Sequence, residues 1–144
     1  MLKNLKKHYF KLLAPTIALF LIYAGADFLG LEDYQNFTVP SFFPVLFLIL
    51  ASITSVAGPL FLRSFFAHSM RNEKNVPRDS FEKFQKGIIS ISMLTPFFAF
   101  IAIVSEFEKF YTTFIIMFSF YAVYYYFPGQ KRIDFDKKIF RINE

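Results

Sequence analysis

The chain has 144 residues, 55% of them hydrophobic and 22% aromatic, with 23 Phe, 19% charged residues and a mean hydropathy of +0.40. That balance is too apolar for a soluble domain, and the length allows one domain only. There is no cysteine, which excludes disulfides, iron–sulfur clusters, thiolate metal sites and thiol nucleophiles. The net charge of +5 does not point to nucleic acid, because the basic residues sit beside the ends of apolar runs, where membrane topology signals belong.

Met1–Lys11 carries Lys3, Lys6, Lys7 and Lys11 ahead of the first apolar run, Leu12–Leu31, whose single charge is Asp27. Ala24-Gly25-Ala26 resembles a signal-peptide cleavage site, but the apolar pattern continues through Phe28–Leu31, so the expectation is an uncleaved helix over 10–31. Pro15 then falls in its first turns, where a missing N–H costs little. A short external loop follows. Its tripeptide Asn36-Phe37-Thr38 matches a glycosylation acceptor, a pattern that recurs often by chance.

The uncharged run Phe42–Leu62 predicts a second helix over 42–70, kinked at Gly58-Pro59. Ala51/Ser55 and Thr54/Gly58 are small-residue pairs four apart, suited to close helix approach. Arg63–Lys86 is polar and holds six basic residues. Phe81, Phe84 and Ile88 recur at i, i+3 and i+7, so a third helix runs from 77 through the uncharged Gly87–Ser105. It carries Ser92, Thr95, Ala99 and Ala102 on one stripe, and Pro96 should bend it in mid-membrane.

After the turn Glu106–Lys109, a fourth helix spans 109–127 and stops at the breaker pair Pro128-Gly129. Tyr121, Tyr124, Tyr125 and Tyr126 at its end read as an aromatic belt. Two readings fit the tail, 128–144. One is a short β-hairpin turning at Asp136-Lys137-Lys138; the other is an interfacial segment laying Ile133, Phe135, Ile139, Phe140 and Ile142 on lipid or on the neighbouring loop.

Each apolar run is about 18–21 residues, and about 20 helical residues cross a ~30 Å hydrocarbon layer. Backbone groups in lipid must satisfy one another, so the runs are helices. The expected fold is therefore all-α: an integral membrane four-helix bundle forming a single domain. Fifteen of the sixteen Lys and Arg fall in the N-terminal segment, the central polar segment and the tail, which puts both termini in the cytoplasm. The expected setting is a bacterial inner membrane.

Chemistry has few places to reside. Asp27, with Tyr23 one turn below, is the candidate ion-coupling pair; the bland alternative is a headgroup-level acid bonded to water. Glu32, Asp33, Glu106 and Glu108 could converge on a cation, although solvated loop acids are the commoner situation. His8 and His68 are the only histidines and lie at the membrane interface, which suits neither haem nor zinc. The serines and threonines in the spans have no intramembrane base to activate them. No cofactor is expected.

The leading functional expectation is a non-enzymatic accessory, scaffolding or regulatory subunit. Its basic loop and tail would meet lipid, another membrane protein or a second copy of the chain through Arg63, Arg71, Arg78, Phe81, Phe84, Lys131, Arg132, Lys137, Lys138 and Arg141. The alternatives are a homo-oligomeric transporter or channel using Asp27, and a lipid- or quinone-binding membrane protein.

Overall fold

The computed structural model describes residues 1–30 and 38–142. Glu32, Asp33 and most of the acceptor tripeptide at Asn36 lie outside the described residues. The described chain is helical, with no β-strand: α1 (Leu2–Phe28), α2 (Phe43–Ser52), a π-helical turn (Ile53–Ala57), α3 (Gly58–Ser69), α4 (Arg78–Ser92), α5 (Thr95–Val104), α6 (Lys109–Tyr125) and α7 (Gln130–Ile139). Three continuous paths, Leu2–Phe28, Phe43–Ser69 and Arg78–Val104, are each 27 residues and apolar enough to cross a membrane. A fourth joins α6 to α7 across a 79° bend.

Helix α1 begins eight residues earlier than the apolar run suggested. Its first turns are amphipathic: Leu5 and Tyr9, four apart, are buried against the rest of the protein, while Lys3 and Lys7 point outward. Pro15 consequently sits in the helix interior. Its missing N–H would have served the carbonyl of the exposed Lys11, on a face open to the surroundings. Gly30 ends the helix at a φ of 64°, a left-handed position that glycine adopts without strain.

The Gly58-Pro59 pair does not break the second path. The π-helical turn widens the preceding backbone so that the Gly58 N–H reaches the carbonyl of Ile53, and Pro59 opens α3 in its first turn. In the third path the proline effect is displaced. The helix is interrupted at Met93-Leu94, and Pro96 lies in the first turn of α5, where its missing N–H is not needed.

The third path is the centre of the molecule. Of its apolar window 44% is buried within the protein, against 22% for the second path and 11% for the first. Ser92, Thr95, Ala99 and Ala102 are all buried and let α4 and α5 approach their neighbours closely. Thr95 Oγ1 lies 2.8 Å from Thr54 Oγ1 across the seam, and Thr54 also donates to the carbonyl of Leu50 at 2.9 Å. Ala51, Ala99, Ala102, Phe107 and Ile115 close the half of the bundle remote from the basic residues.

The tail is a helix, which corrects the hairpin reading. Along α7, Ile133, Asp136 and Phe140 recur at i, i+3 and i+7, and all three are buried on one face. A two-residue period cannot put these three on the same side. The only β-type contact among the described residues is one backbone bridge, Val76 with Ile142.

Candidate functional site

At the basic end, α1, α3, α4 and α7 converge on a single core. Leu5 and Tyr9 come from α1, Phe66 from α3, Phe81 and Ile89 from α4, and Ile133 from α7, with Phe140 just beyond it. Phe66 and Phe84 stack with ring centroids 4.2 Å apart and planes 8° apart, and Phe140 meets them edge-on at 5.2 and 5.5 Å. Both geometries suit the ring quadrupoles. Tyr9 ties α1 to the far end of α6 by donating its hydroxyl to the Val123 carbonyl at 2.7 Å.

Inside this core lies a polar cluster. Asp136 is 1% exposed; its Oδ1 accepts from Arg63 Nη2, and its Oδ2 accepts from Gln85 Nε2 at 2.8 Å. Arg63 also lies over the Phe140 ring, 6.0 Å from its centroid. A buried carboxylate needs this kind of pairing to offset its desolvation. Gln85 is fully buried, and its Oε1 has no hydrogen-bond partner among the described residues. The cluster thus fastens α7 to α3 and α4.

Arg132 anchors the start of α7. It lies over the rings of Tyr126 and Tyr125, 5.3 and 5.9 Å away, and donates to the Tyr125 carbonyl at 3.3 Å. Burial draws its pKa below the ordinary arginine value while the nearby Asp136 opposes that shift; an arginine so placed keeps its charge at neutral pH.

The interaction candidates therefore divide. Arg63, Phe81 and Phe84 are committed to contacts within the chain, Phe81 at 0% exposure. Arg71, Arg78, Lys131, Lys138 and Arg141 are exposed, and Lys137 and Arg132 are half-buried. Asp27 is exposed near the end of α1 at the opposite end of the bundle, and Tyr23 is half-buried with its ring edge-on to Phe100 at 6.2 Å. Glu106 and Glu108 are both exposed. Among the described residues no three His, Asp or Glu side chains come together as a metal site would require.

Gln85 and Asp136 were not singled out from the sequence. The signal was present, since each is a polar residue at helical spacing among apolar ones: Gln85 between Phe81 and Ile88/Ile89, Asp136 between Ile133 and Phe140. Reading the tail as a possible strand hid the second.

The class defined by this fold is an α-helical protein with three or four helices able to cross a membrane and a compact basic end. Comparison with known proteins finds no matching family, no matching curated relative and no matching solved structure.

Proposed function

We propose that the chain is a four-span membrane protein with its basic end in the cytoplasm, acting as a non-enzymatic accessory or regulatory subunit. The observation that carries the reading is the docked helix α7. Its inner face is fastened by Asp136, Ile133 and Phe140, while its outer face leaves Phe135 and Ile139, four apart, at 61% and 49% exposure beside Lys131 and Lys138. An apolar pair of this kind on a fixed helix, rimmed by lysines, is the shape of a helix-mediated contact. The buried polar groups at this end, Arg63, Gln85 and Asp136, are engaged in holding α7, which suits a scaffold better than a reactive site.

Four spans are supported by connectivity. Helix α6 starts beside Phe107, which packs with Ala51 and Ala102, and ends beside Tyr9 in the basic-end core. If its neighbours cross the bilayer, α6 crosses with them. A photo-crosslinking residue placed at Phe135 in native membranes is expected to capture one specific membrane-protein partner. Cross-links only to lipid, with a lone monodisperse protein after repeated mild solubilisation, would sink the idea.

A lipid- or quinone-binding role is the second reading, favoured by a groove of about 400 Å³ between α2 and α6, lined by Leu48, Ile49, Ser52, Phe110, Phe114 and Phe118. Native mass spectrometry of the purified protein separates the two: a single stoichiometric isoprenoid or lipid adduct supports this second reading.

A further inference from the structure

A separate cavity of about 260 Å³ opens at the basic end, where the end of α3 and its following loop meet the end of α7. Met70, Val76, Ile139 and Phe140 form its apolar walls, and Arg71, Arg141 and Glu73 supply its charge. We propose that this cavity binds the phosphate-bearing headgroup of an anionic phospholipid, with Arg71 and Arg141 as its ligands.

Three observations converge. The first is charge: two guanidiniums against one carboxylate leave the site net positive, and guanidinium is the side chain best matched to phosphate oxygens.

The second is backbone strain. Arg141 is the residue just past α7, with a φ of 53°, and the Ile142 N–H closes the motif by reaching back to the Lys137 carbonyl at 3.1 Å. Glycine occupies this left-handed position best, and a non-glycine residue there costs energy that its surroundings must hold in place. This turn sets Arg141 among the residues that line the cavity.

The third observation is placement, which rests on the membrane reading above. A 27-residue path is about 40 Å long, longer than a ~30 Å hydrocarbon layer, so the residues just past Ser69 reach the headgroup zone. The exposed residues Leu60, Ser64 and Ala67 follow one another along α3 at i, i+4 and i+7, and Ala67 lines the cavity. That stripe runs from the cavity down α3 and gives an acyl chain a path that a free phosphate would not use.

The test is native mass spectrometry of the full chain in detergent, titrated with phosphatidylglycerol or phosphatidylcholine. Phosphatidylglycerol should bind in preference to phosphatidylcholine. Arg71→Gln and Arg141→Gly should each lower its occupancy about fivefold to tenfold, the loss of one charge-assisted contact. Lys7→Gln, which removes an equal charge from the exposed face of α1 outside the cavity, should leave it unchanged.

Arg141→Gly has a second readout, because it also relieves the left-handed strain: thermal stability should hold or rise while lipid binding falls. The proposal is overturned by equal losses in Lys7→Gln, by undiminished binding in both arginine variants, or by displacement with millimolar inorganic phosphate. These outcomes are independent of whether a partner is captured at Phe135. Failure of the membrane reading itself would appear separately, as extraction of the chain from membranes by alkaline carbonate.

Discussion

At the scale of single residues the decisive asymmetry is that Asp136 is buried while the Arg63 side chain keeps 31% of its exposure. Removing one partner of a buried pair is costly mainly through the charge left behind. Arg63→Ala leaves a buried carboxylate with Gln85 as its remaining side-chain hydrogen-bond donor among the described residues, so a loss of about 3 kcal/mol is expected. Asp136→Ala frees a guanidinium that can turn toward water, and about 1–2 kcal/mol is expected. Thermal unfolding of both variants and of the double variant checks this. The double variant should cost less than the two single losses together, as coupled neighbours do.

The same scale holds a position that runs the other way. Glu106, with a φ of 51°, ends α5 by the same left-handed motif as Arg141, the Phe107 N–H reaching back to the Ala102 carbonyl at 3.1 Å. Glu106 is exposed and no hydrogen bond holds its side chain among the described contacts. Glu106→Gly should therefore stabilise by about 0.5–1 kcal/mol, read as a rise in unfolding temperature.

At the scale of elements, the π-helical turn is the device that lets a proline sit inside a helical path long enough to cross a membrane without opening a gap. It depends on Gly58. A Cβ there would lie 3.0 Å from the Ile53 carbonyl oxygen and 3.0 Å from Ile91 Cγ2. The first of these is backbone and cannot swing aside. Gly58→Ala is expected to cost about 1–3 kcal/mol by forcing α3 away from α4, and Ile91→Ala should recover only part of that. Faster hydrogen exchange across Ile53–Phe61 would locate the damage; an unchanged exchange pattern would count against the account.

Here the reach of the sequence is clear in physical terms. Uncharged runs, small-residue seams and breaker pairs act locally, so the apolar helices and their packing faces were legible. The response to proline was not, because the backbone can kink, insert a π-helical turn as before Pro59, or restart a helix as at Pro96. Tertiary packing selects among the three. The choice between the two readings of the tail was not legible for a related reason: α7 is fixed in part by Arg63, 73 positions away, which makes Asp136 an inward-facing residue. The arginine and aromatic content of the basic end was visible from composition, but its partners were not.

At the scale of the whole molecule, the distribution of charge and the path of α6 make one joint prediction about sidedness. Helix α6 has 17 residues, about 25 Å of helix, a few ångströms less than a typical hydrocarbon core. On the four-span proposal, a helix of this length would cross by thinning the bilayer locally and by drawing its tyrosine-rich end into the interface. The 79° bend into α7 then lays that helix across the basic end instead of extending the span. Since Phe140 packs against Phe66 and Phe84, the ends of α3 and α6 and the start of α4 must lie on one side of any membrane that the bundle crosses. The chain has no cysteine, so single cysteines report side without background. Cysteines at Lys74 and Lys131 should be shielded from an impermeant maleimide in intact cells, and one at Glu108 should react. Labelling of Lys131 together with Glu108 would mean that α6 does not cross. Labelling of Lys74 but not Glu108 would invert the whole orientation, against the fifteen basic residues gathered at one end.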